Sequence, residues 1–315
     1  MASALALSAR VHGRTSPNPN VGCVIVSNGR VAGRGWTQPG GRPHAEAMAL
    51  AEAGEAARGA TAYVTLEPCA HQSSRGPACA NLLIAAGIAR VVSAMGDPDP
   101  RTNGAGFARL AAAGVAVTNG ICADEARHAM AGFLIRRASR RPQVTLKLAT
   151  SLDGCIALAD GESRWITGSE SRAHAHLERA RHEAILIGRG TWDTDRPSLN
   201  VRLPGLEERA PRRVILSKQI VDAPGCIVIA QPADIATLPG DHLLIEGGAG
   251  AASAFLRADL VDRLLLYRAP ILIGAGRPAI GDLGLQNLAS AHGRWRLTDA
   301  RMLGSDRLEA YERQR

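Results

Sequence analysis

Aromatic side chains are scarce in this chain of 315 residues. Phe, Trp and Tyr make up 3% of it, which is too few for the stacking surfaces that single-stranded nucleic acid requires. Long runs of like charge are also missing, since no basic stretch is longer than two residues, as in the pairs Arg136–Arg137 and Arg140–Arg141. The net charge of +8 suits phosphorylated small substrates as well as polyanions. We therefore expect a small-molecule substrate and no nucleic-acid partner.

Long uncharged apolar runs are absent too. No stretch approaches the roughly 18 to 20 residues that span a bilayer. The segment Met1–Arg10 has neither the basic start nor the apolar length of a signal peptide. We therefore expect a cytoplasmic protein without a membrane partner, whose six cysteines are reduced thiols. Four of them occur singly in apolar contexts, as small buried residues do: Cys23, Cys122, Cys155 and Cys226.

The chain is long enough for two domains, and apolar residues, 46% of the total, occur along its whole length. Short apolar runs alternate with helical patterns in both halves, which is typical of α/β domains. Strands are predicted at 21–26, near Val31, and at 62–66, 90–95, 115–118, 144–149, 184–187, 214–216, 227–229, 243–245 and 264–269. Helices are predicted at 44–57, 79–86, 105–113, 123–139 and 251–258. Arg140–Arg141–Pro142 breaks the helix before it, so we expect domains at 1–141 and 142–315.

The first half contains a set of residues suited to a catalytic metal. His44-Ala45-Glu46 is followed by Pro68-Cys69 and then by Cys79. One His and two Cys supply three Zn²⁺ ligands and leave a fourth position open for water, whose pKa the metal lowers. Glu46 follows the His at the start of a predicted helix and can carry protons between water and a leaving amine. The order of these residues is that of zinc nucleobase deaminases.

Each of these residues alone would be interpreted as an ordinary core or loop residue. A structural zinc in a nucleic-acid-binding module is a different alternative, but it would need a fourth Cys or His near Cys69 or Cys79. A tRNA or free-base deaminase usually has a tight C-x-x-C pair, whereas nine residues separate these two cysteines. The Pro/Asn loop at 16–22 is either an ordinary turn or a source of an Asn side chain for a pyrimidine edge.

The second half contains a Gly-rich stretch at 245–250 that lies between a predicted strand and a predicted helix. Such a turn can present backbone N–H groups to a phosphate of a cofactor, but it is weak support by itself because the G-x-G-x-x-G pattern is absent. Further motifs are KLATSLDG at 147–154, GESRWIT at 161–167, IGRGT at 187–191 and DRPSLNVR at 195–202.

Taken together, these motifs resemble the RibD family of bifunctional riboflavin-biosynthesis enzymes. In the first half the resemblance is carried by TSPNPNVGCVIV at 15–26, His44-Ala45-Glu46, TAYVTLEPC at 61–69 and LIAAGIARVV at 83–92. It implies an α/β protein with an N-terminal cytidine-deaminase-like αβα layer and a C-terminal dihydrofolate-reductase-like α/β domain. It also implies one Zn²⁺ per chain, NADPH as the second cofactor, and a homo-oligomer that is a dimer or a tetramer.

The activities that the resemblance implies act in succession. The first is deamination of 2,5-diamino-6-ribosylamino-4(3H)-pyrimidinone 5′-phosphate. The second is NADPH-dependent reduction of the ribosyl group of 5-amino-6-(5-phosphoribosylamino)uracil to ribityl. The alternative is a deaminase of another nucleobase or nucleotide with a degenerate second domain.

The resemblance also assigns roles to individual residues. His44, Cys69 and Cys79 would bind zinc, Glu46 would be the acid and base, Asn20 would contact the substrate edge and Arg75 its phosphate. The substrate of the reductase would contact Lys147, Ser163, Thr167, Arg179, Leu199, Arg202 and Glu246. NADPH would contact Ala149, Trp165, Thr191, Asp195, Ser217, Gly248, Ala249, Gly250, Ala251, Ala252, Ser253 and Ala254.

The chain departs from the family pattern at three places. Thr37 stands where a His is usual, and Arg196 stands where an acidic residue or Asn is frequent. The segment 71–78 is one residue longer than the common form, which affects the alignment of Arg75. We expect these departures to change local contacts of the substrate and of the cofactor.

Overall fold

The computed structural model describes residues 1–71, 75–219 and 222–315. They fold into two compact units, Met1–Arg140 and Arg141–Arg315. The division falls one residue before the boundary expected from the sequence. In the described part of the chain, no helix is both long and apolar enough to cross a membrane.

The first unit is built around one mixed sheet in the order β2-β1-β3-β4-β5. Its described strands are β1 (Gly22–Ser27), β2 (Arg30–Trp36), β3 (Thr61–Val64), β4 (Arg90–Ser93) and β5 (Ala116–Thr118). Its described helices are α1 (Ala2–Ser8), α2 (Ala45–Ala53), α3 (Cys79–Ala85), α4 (Ala105–Ala112), α5 (Ala123–Ala129) and α6 (Ala131–Ser139). β1 pairs antiparallel with β2 and β3, whereas β3, β4 and β5 are parallel. The single helix expected over 123–139 is wrong, because Met130 leaves the helical conformation (φ −108°, ψ 17°) between α5 and α6.

Two glycines of β2 bring α2 unusually close to the sheet. A Cβ atom on Gly33 would lie 2.1 Å from the Ala49 carbonyl oxygen, and one on Gly35 would lie 2.0 Å from that of Ala45. Both positions therefore exclude every larger side chain. The small residues Ala45, Ala49 and Ala53 of α2 are buried against the strands. This close packing fixes the start of α2, where His44 and Glu46 lie.

The second unit contains an eight-stranded sheet in the order β10-β9-β8-β11-β6-β12-β15-β14. Its described strands are β6 (Gln143–Thr150), β7 (Cys155–Ala157), β8 (Ala184–Gly188), β9 (Arg212–Leu216), β10 (Ile227–Ile229), β11 (His242–Ile245), β12 (Arg263–Arg268), β13 (Arg277–Pro278), β14 (Trp295–Leu303) and β15 (Asp306–Arg313). Its described helices are α7 (Ser169–Ala180), α8 (Arg189–Asp195) and α9 (Ala249–Arg257). The first six strands of the sheet are parallel, and β15 and β14 close it as an antiparallel hairpin.

The side chains of strand β6 alternate between the two faces of this sheet. Leu146 and Leu148 point to a core that includes Phe255 of α9. Lys147 and Ala149 alternate with them and pair in register with Leu265 and Tyr267 of β12. The period of two therefore places Lys147 on the opposite face. The α/β class predicted for both halves is confirmed.

Candidate active sites

Three predicted metal ligands converge in the first unit. His44 is the extended residue that precedes α2, Cys79 is the first residue of α3, and Cys69 lies in the loop after β3. Their ligand atoms all lie within 4.8 Å of one another. His44 Nδ1 lies 3.2 Å from Cys79 Sγ and 3.7 Å from Cys69 Sγ. One imidazole and two thiols at this spacing match the donor set of a three-ligand catalytic zinc site.

The two thiols differ in their electrostatics, since the hydrogen bond to Cys69 and burial raise the pKa of Cys79 above its ordinary value, whereas that of Cys69 is lowered. A hydrogen bond from Cys79 lowers the pKa of Cys69 to about 4, and the Cys79 backbone N–H donates to Cys69 Sγ at 3.2 Å. Because thiolate is the form of cysteine that binds metal, Cys69 is already disposed to be a ligand. Glu46 is buried beside them, and burial raises its carboxyl pKa. A buried carboxyl group whose pKa is raised above its ordinary value is better suited to accept a proton in acid–base catalysis.

Asn18, which the sequence analysis did not select, holds the imidazole ring. Its Nδ2 lies 2.9 Å from His44 Nε2 and donates to the Gly41 carbonyl at 2.8 Å. This contact keeps Nδ1 turned towards the thiols. Asn20 instead is 3% exposed and donates to the carbonyls of Ser8 and Ala129 at 3.4 and 3.0 Å. Of the two asparagines of this loop, Asn18 lines the pocket and Asn20 does not.

His44 and Cys69 line a pocket of about 240 Å³ whose lining also includes four arginines, Arg42, Arg75, Arg101 and Arg137. Asp99 pairs with two of them, Arg101 at 2.6 Å and Arg137 at 3.1 Å. Arg75 donates to the Gly40 carbonyl at 2.7 Å. The arginines give the pocket a positive side, which favours an anionic group on the ligand.

Thr37 lines the same pocket but is 1% exposed. Its hydroxyl accepts a hydrogen bond from the Val21 backbone N–H at 3.0 Å, and its own N–H donates to the Val21 carbonyl at 2.9 Å. Its side chain is therefore engaged in holding the loop before β1. This departure from the family pattern replaces an imidazole with a group that already has a partner.

A second cluster of charged residues lies in the other unit, at the end of β11 and on α7. Arg179 and Glu246, both predicted substrate contacts, form a two-bonded ion pair with Nε–Oε1 at 2.8 Å and NH2–Oε2 at 2.7 Å. Burial would raise the pKa of Glu246, but the charge of Lys147 and the bonds from Arg179 outweigh it, so its pKa lies below the usual value. Arg202 contacts the His176 ring through N at 3.3 Å and Nε at 3.2 Å.

The predicted cofactor residues meet where β8 and β11 end. A Cβ on Gly247 would lie 2.7 Å from Ala251 Cβ and 3.5 Å from the Gly188 nitrogen, and one on Gly248 would lie 3.7 Å from Thr191 Oγ1. The starts of α8 and α9 are therefore neighbours. Two adjacent helix starts, with no atom of another described segment within 4 Å of a Cβ placed on Gly190 or Gly250, suit a phosphate group.

Several other predicted residues have internal partners. Ser253 Oγ donates to the Ala249 carbonyl at 2.7 Å and accepts from Gly281 N at 2.8 Å, and Ala251 and Ala252 are buried. Ser217 Oγ exchanges hydrogen bonds with the backbone of Gln219. These side chains face the protein, so a cofactor would meet mainly backbone atoms there.

The 161–202 region has both exposed and buried members. Trp165 is 65% exposed with the Arg172 guanidinium 4.9 Å from its ring, and Ser163 is exposed. Asp195 lies 3.5 Å from Arg164. Thr167 and Leu199 are buried. Contacts of these residues with a substrate or cofactor stay predictions.

The fold and the two clusters define a class of enzyme in which a zinc-dependent deaminase is joined to a reductase. Residues 1–95 match the family described as the cytidine and deoxycytidylate deaminase zinc-binding region, and residues 142–238 and 233–308 match the RibD C-terminal domain. The chain belongs to the RibD family. The predicted enzyme class and both cofactors, zinc and NADPH, are thereby confirmed.

Relatives match over nearly the full length. The riboflavin biosynthesis protein RibD of Escherichia coli is 40% identical over 97% of this chain and 96% of its own, and that of Mycobacterium tuberculosis is 40% identical over 98% and 95%. A solved RibD structure from Acinetobacter baumannii is 38% identical with a TM-score of 0.89, covering 100% of this chain and 98% of its own. A Thermotoga maritima structure is 30% identical, with a TM-score of 0.89 and coverage of 100% and 97%. The predicted dihydrofolate-reductase-like second domain agrees with these matches.

Proposed function

We propose that residues 1–141 deaminate 2,5-diamino-6-ribosylamino-4(3H)-pyrimidinone 5′-phosphate and that residues 142–315 reduce the product with NADPH. The observation that carries the proposal is the cluster of His44, Cys69 and Cys79 beside a buried Glu46, in a pocket that arginines also line. The similar Thermotoga maritima protein is described as a diaminohydroxyphosphoribosylaminopyrimidine deaminase and 5-amino-6-(5-phosphoribosylamino)uracil reductase.

In the deaminase step His44, Cys69 and Cys79 would hold the zinc ion. When bound, zinc supplies a water molecule that loses a proton near neutral pH. Glu46 accepts that proton on its carboxylate and returns it to the amino group that leaves as ammonia. The ring carbon exchanges its C–N bond for a C–O bond, so the step consumes one water and releases one ammonia. Burial keeps other water away from Glu46.

Recognition of the deaminase substrate falls to the rest of the pocket. Asn18, which lines the pocket beside His44, takes the substrate-edge role that the sequence analysis gave to Asn20. Arg75 is our choice for the phosphate, because a guanidinium can bind phosphate with two parallel hydrogen bonds. Its bond to the Gly40 carbonyl holds the side chain at the pocket, whose lining includes Arg75.

In the reductase step NADPH, when bound, would supply a hydride to C1′ of the ring-opened ribosyl group, and a proton from solvent would complete the reduction. Lys147 and Arg202 are cations beside Glu246 and His176, and they suit the phosphate or hydroxyls of the substrate. Arg179 already bonds to Glu246 and to the Asn200 carbonyl. We therefore assign Arg179 to orienting Glu246, which accepts from hydroxyl or amino groups of the substrate. The paired starts of α8 and α9 would hold a cofactor phosphate.

The test is to supply the diaminopyrimidine phosphate with and without NADPH and to identify the products by mass. Without NADPH the product should have exchanged an amino group for oxygen. With NADPH it should also carry two further hydrogens. A product that stops at the deaminated stage in the presence of NADPH would support the alternative of a degenerate second domain, and an unchanged diaminopyrimidine would contradict the deaminase.

We also propose a homo-oligomer in the cytoplasm. The strand β14 lies at one edge of the eight-stranded sheet and is exposed along most of its length, with Leu297 at 49% and Met302 at 60%. A long exposed edge strand with apolar side chains favours pairing with another strand, and a second copy offers an identical one. Light scattering of the purified chain tests this, with Leu297→Lys and Met302→Lys expected to shift it towards the monomer.

A further inference from the structure

Glu67 is a buried carboxylate beside the metal ligands that the proposed chemistry does not use. It stands two residues before Cys69, is 3% exposed, and lines the same pocket as Glu46. A charged group is buried at large cost unless hydrogen bonds satisfy it. The partners of Glu67 therefore indicate its role.

Those partners are four backbone N–H groups of one later segment. Oε2 accepts from Asp97 at 3.1 Å and Gly104 at 3.0 Å, and Oε1 accepts from Gly106 at 2.9 Å and Phe107 at 3.2 Å. Gly104 directly precedes α4, so three of the donors belong to the start of this helix, where N–H groups lack helical partners. A carboxylate has about four acceptor positions. All of them are occupied, which leaves Glu67 no capacity as a second proton carrier.

The bonds from Glu67 enclose a loop that we call the pocket wall, residues 97–102. Asp97, Asp99 and Arg101 of this wall line the pocket. Thr102 is the other end of the wall, and its hydroxyl oxygen lies 3.3 Å from His71 Nδ1. The wall is therefore attached to the segment that contains Cys69 at both of its ends.

The backbones of the two segments are also in direct contact. A Cβ on Gly106 would lie 2.0 Å from the Pro68 carbonyl oxygen, and Arg109 of α4 donates to the Ala70 carbonyl at 2.6 Å. Pro68 and Ala70 flank Cys69 in the chain. The start of α4 thus rests on the metal-binding loop, with the Glu67 carboxylate between them.

We propose that Glu67 is a positioning residue of the deaminase, which fixes the pocket wall against the Cys69 loop and so sets the affinity for the substrate beyond its reacting ring. The inference rests on the proposed deaminase function. Because Glu67 acts through the wall and not on the reacting atoms, its loss raises KM more than it lowers kcat.

The experiment compares Glu67→Gln with the wild type in the full zinc-loaded chain. The amide keeps one acceptor oxygen but turns an NH₂ group towards two N–H donors, so about half of the bonds are lost. We expect KM for deamination to rise about tenfold or more, with kcat within about threefold of the wild type. Zinc content, the visible spectrum of the Co²⁺-substituted enzyme and the reductase rate should stay unchanged.

Two further variants complete the design. Glu67→Asp keeps the charge but is shorter, so its KM should lie between those of the wild type and the Gln variant. Glu52→Gln is the matched control, since Glu52 also accepts from a backbone N–H, that of Arg34 at 2.8 Å, but lies outside the pocket lining. It should leave KM unchanged.

An unchanged KM in Glu67→Gln would overturn the inference. So would a fall in kcat accompanied by loss of zinc or an altered Co²⁺ spectrum, because Glu67 would then support the metal itself. If Glu67→Gln does not fold, Glu67→Asp is judged by the same criteria. Failure of the proposed deaminase function is distinguishable, because the wild type itself would release no ammonia.

Discussion

The two candidate sites differ in how closely their residues are held together. The ligand atoms of His44, Cys69 and Cys79 lie within 4.8 Å of one another, and the starts of two helices and one loop supply them. The predicted reductase residues are spread over β6, α7, α8, α9 and several loops, including the loop after β11 that begins with Glu246. Some of them, such as Trp165, are largely exposed, whereas others, such as Ala252, are fully buried.

The difference follows from what each site binds. A metal requires its ligand atoms at about 2 Å from one centre, so one misplaced ligand removes the ion. A cofactor the size of NADPH and a phosphorylated sugar are bound through many contacts, each of modest energy. We therefore expect single changes in the first site to abolish an activity and single changes in the second to alter stability or affinity.

The largest effect should come from Glu46→Gln. The amide cannot carry protons, so deamination should fall by about 10²- to 10⁴-fold, while the three ligands keep the zinc. Ammonia release and bound zinc are measured on the same sample. The reductase rate of the same chain serves as the internal control, and substantial ammonia release by a zinc-loaded variant would contradict the role of Glu46.

In the second unit the strongest expected effect is on stability. Arg179→Met leaves the Glu246 carboxylate without its Arg179 partner in a buried position, since the Glu246 side chain is only 7% exposed. Removing one partner of such a pair costs about 3–5 kcal/mol. We expect the second unit, followed by circular dichroism, to unfold at a lower urea concentration, whereas deaminase activity should be lost at an unchanged urea concentration.

Arg296→Met is the matched control for Arg179→Met. Arg296 pairs with Glu312 at 3.0 Å, but its side chain is 63% exposed, so the change should cost about 1 kcal/mol or less. Equal losses of unfolding free energy in the two variants would show that burial of the Arg179–Glu246 pair does not add to its contribution. This outcome would contradict the expectation that single changes in the second site act through stability.

The zinc site can be predicted from the sequence because its ligands occur in a characteristic order and spacing. His44 and Cys79 lie at the starts of helices, and Cys69 lies in the loop after β3. It cannot distinguish Asn18 from Asn20, because both lie in one loop and only the folded path shows which lines the pocket. The pair of Arg179 and Glu246 is equally hidden, since 67 residues separate its members. Both were predicted as separate substrate contacts.

The sequence analysis did not predict some helices and strands that bury polar residues or expose apolar ones. The helix α7 buries His176 and Glu178, so its apolar periodicity is weak. The strand β14 is exposed on most positions, so it lacks the alternation that predicts a half-buried strand. Most strands of the cores were predicted to within a few residues, because their burial follows the ordinary apolar pattern. The strand β15, which buries Leu308 and Ala310 in a core, and the short strand β7 were not predicted.

The pH dependence of stability offers a test that is confined to the second unit. His182 is buried, with Nδ1 2.6 Å from the Glu178 carbonyl and Nε2 3.1 Å from Thr145 Oγ1. Burial lowers its pKa to about 4, against about 6.5 in an unfolded chain. Between these values the unfolded state binds a proton that the folded state does not. Stability is therefore fully present above about pH 6.5 and is lost as the pH falls towards 4, by up to about 3 kcal/mol.

Urea denaturation followed by reductase activity, between pH 7 and pH 4.5, measures this loss. His182→Gln has no titrating group but can still donate to the Glu178 carbonyl, so its stability should depend less on pH than that of the wild type. If the free energy of unfolding falls equally with pH in the variant and the wild type, groups other than His182 cause the loss of stability.

The smallest expected effect concerns the choice between NADPH and NADH. Ser217 and the exposed Lys218 follow β9 at the carboxyl end of the sheet, where ligands meet open α/β sheets. The hydroxyl of Ser217 already bonds to the backbone of Gln219, so we expect Ser217 to contribute mainly because it is uncharged next to a 2′-phosphate.

Ser217→Asp places a negative charge there, and repulsion of about 1 kcal/mol in a solvated site lowers the NADPH preference about fivefold. Ser217→Ala removes the hydroxyl without adding charge and should change the preference less. Steady-state rates with both cofactors decide between these outcomes, and an unchanged NADPH/NADH ratio in the Asp variant would remove Ser217 from the cofactor site.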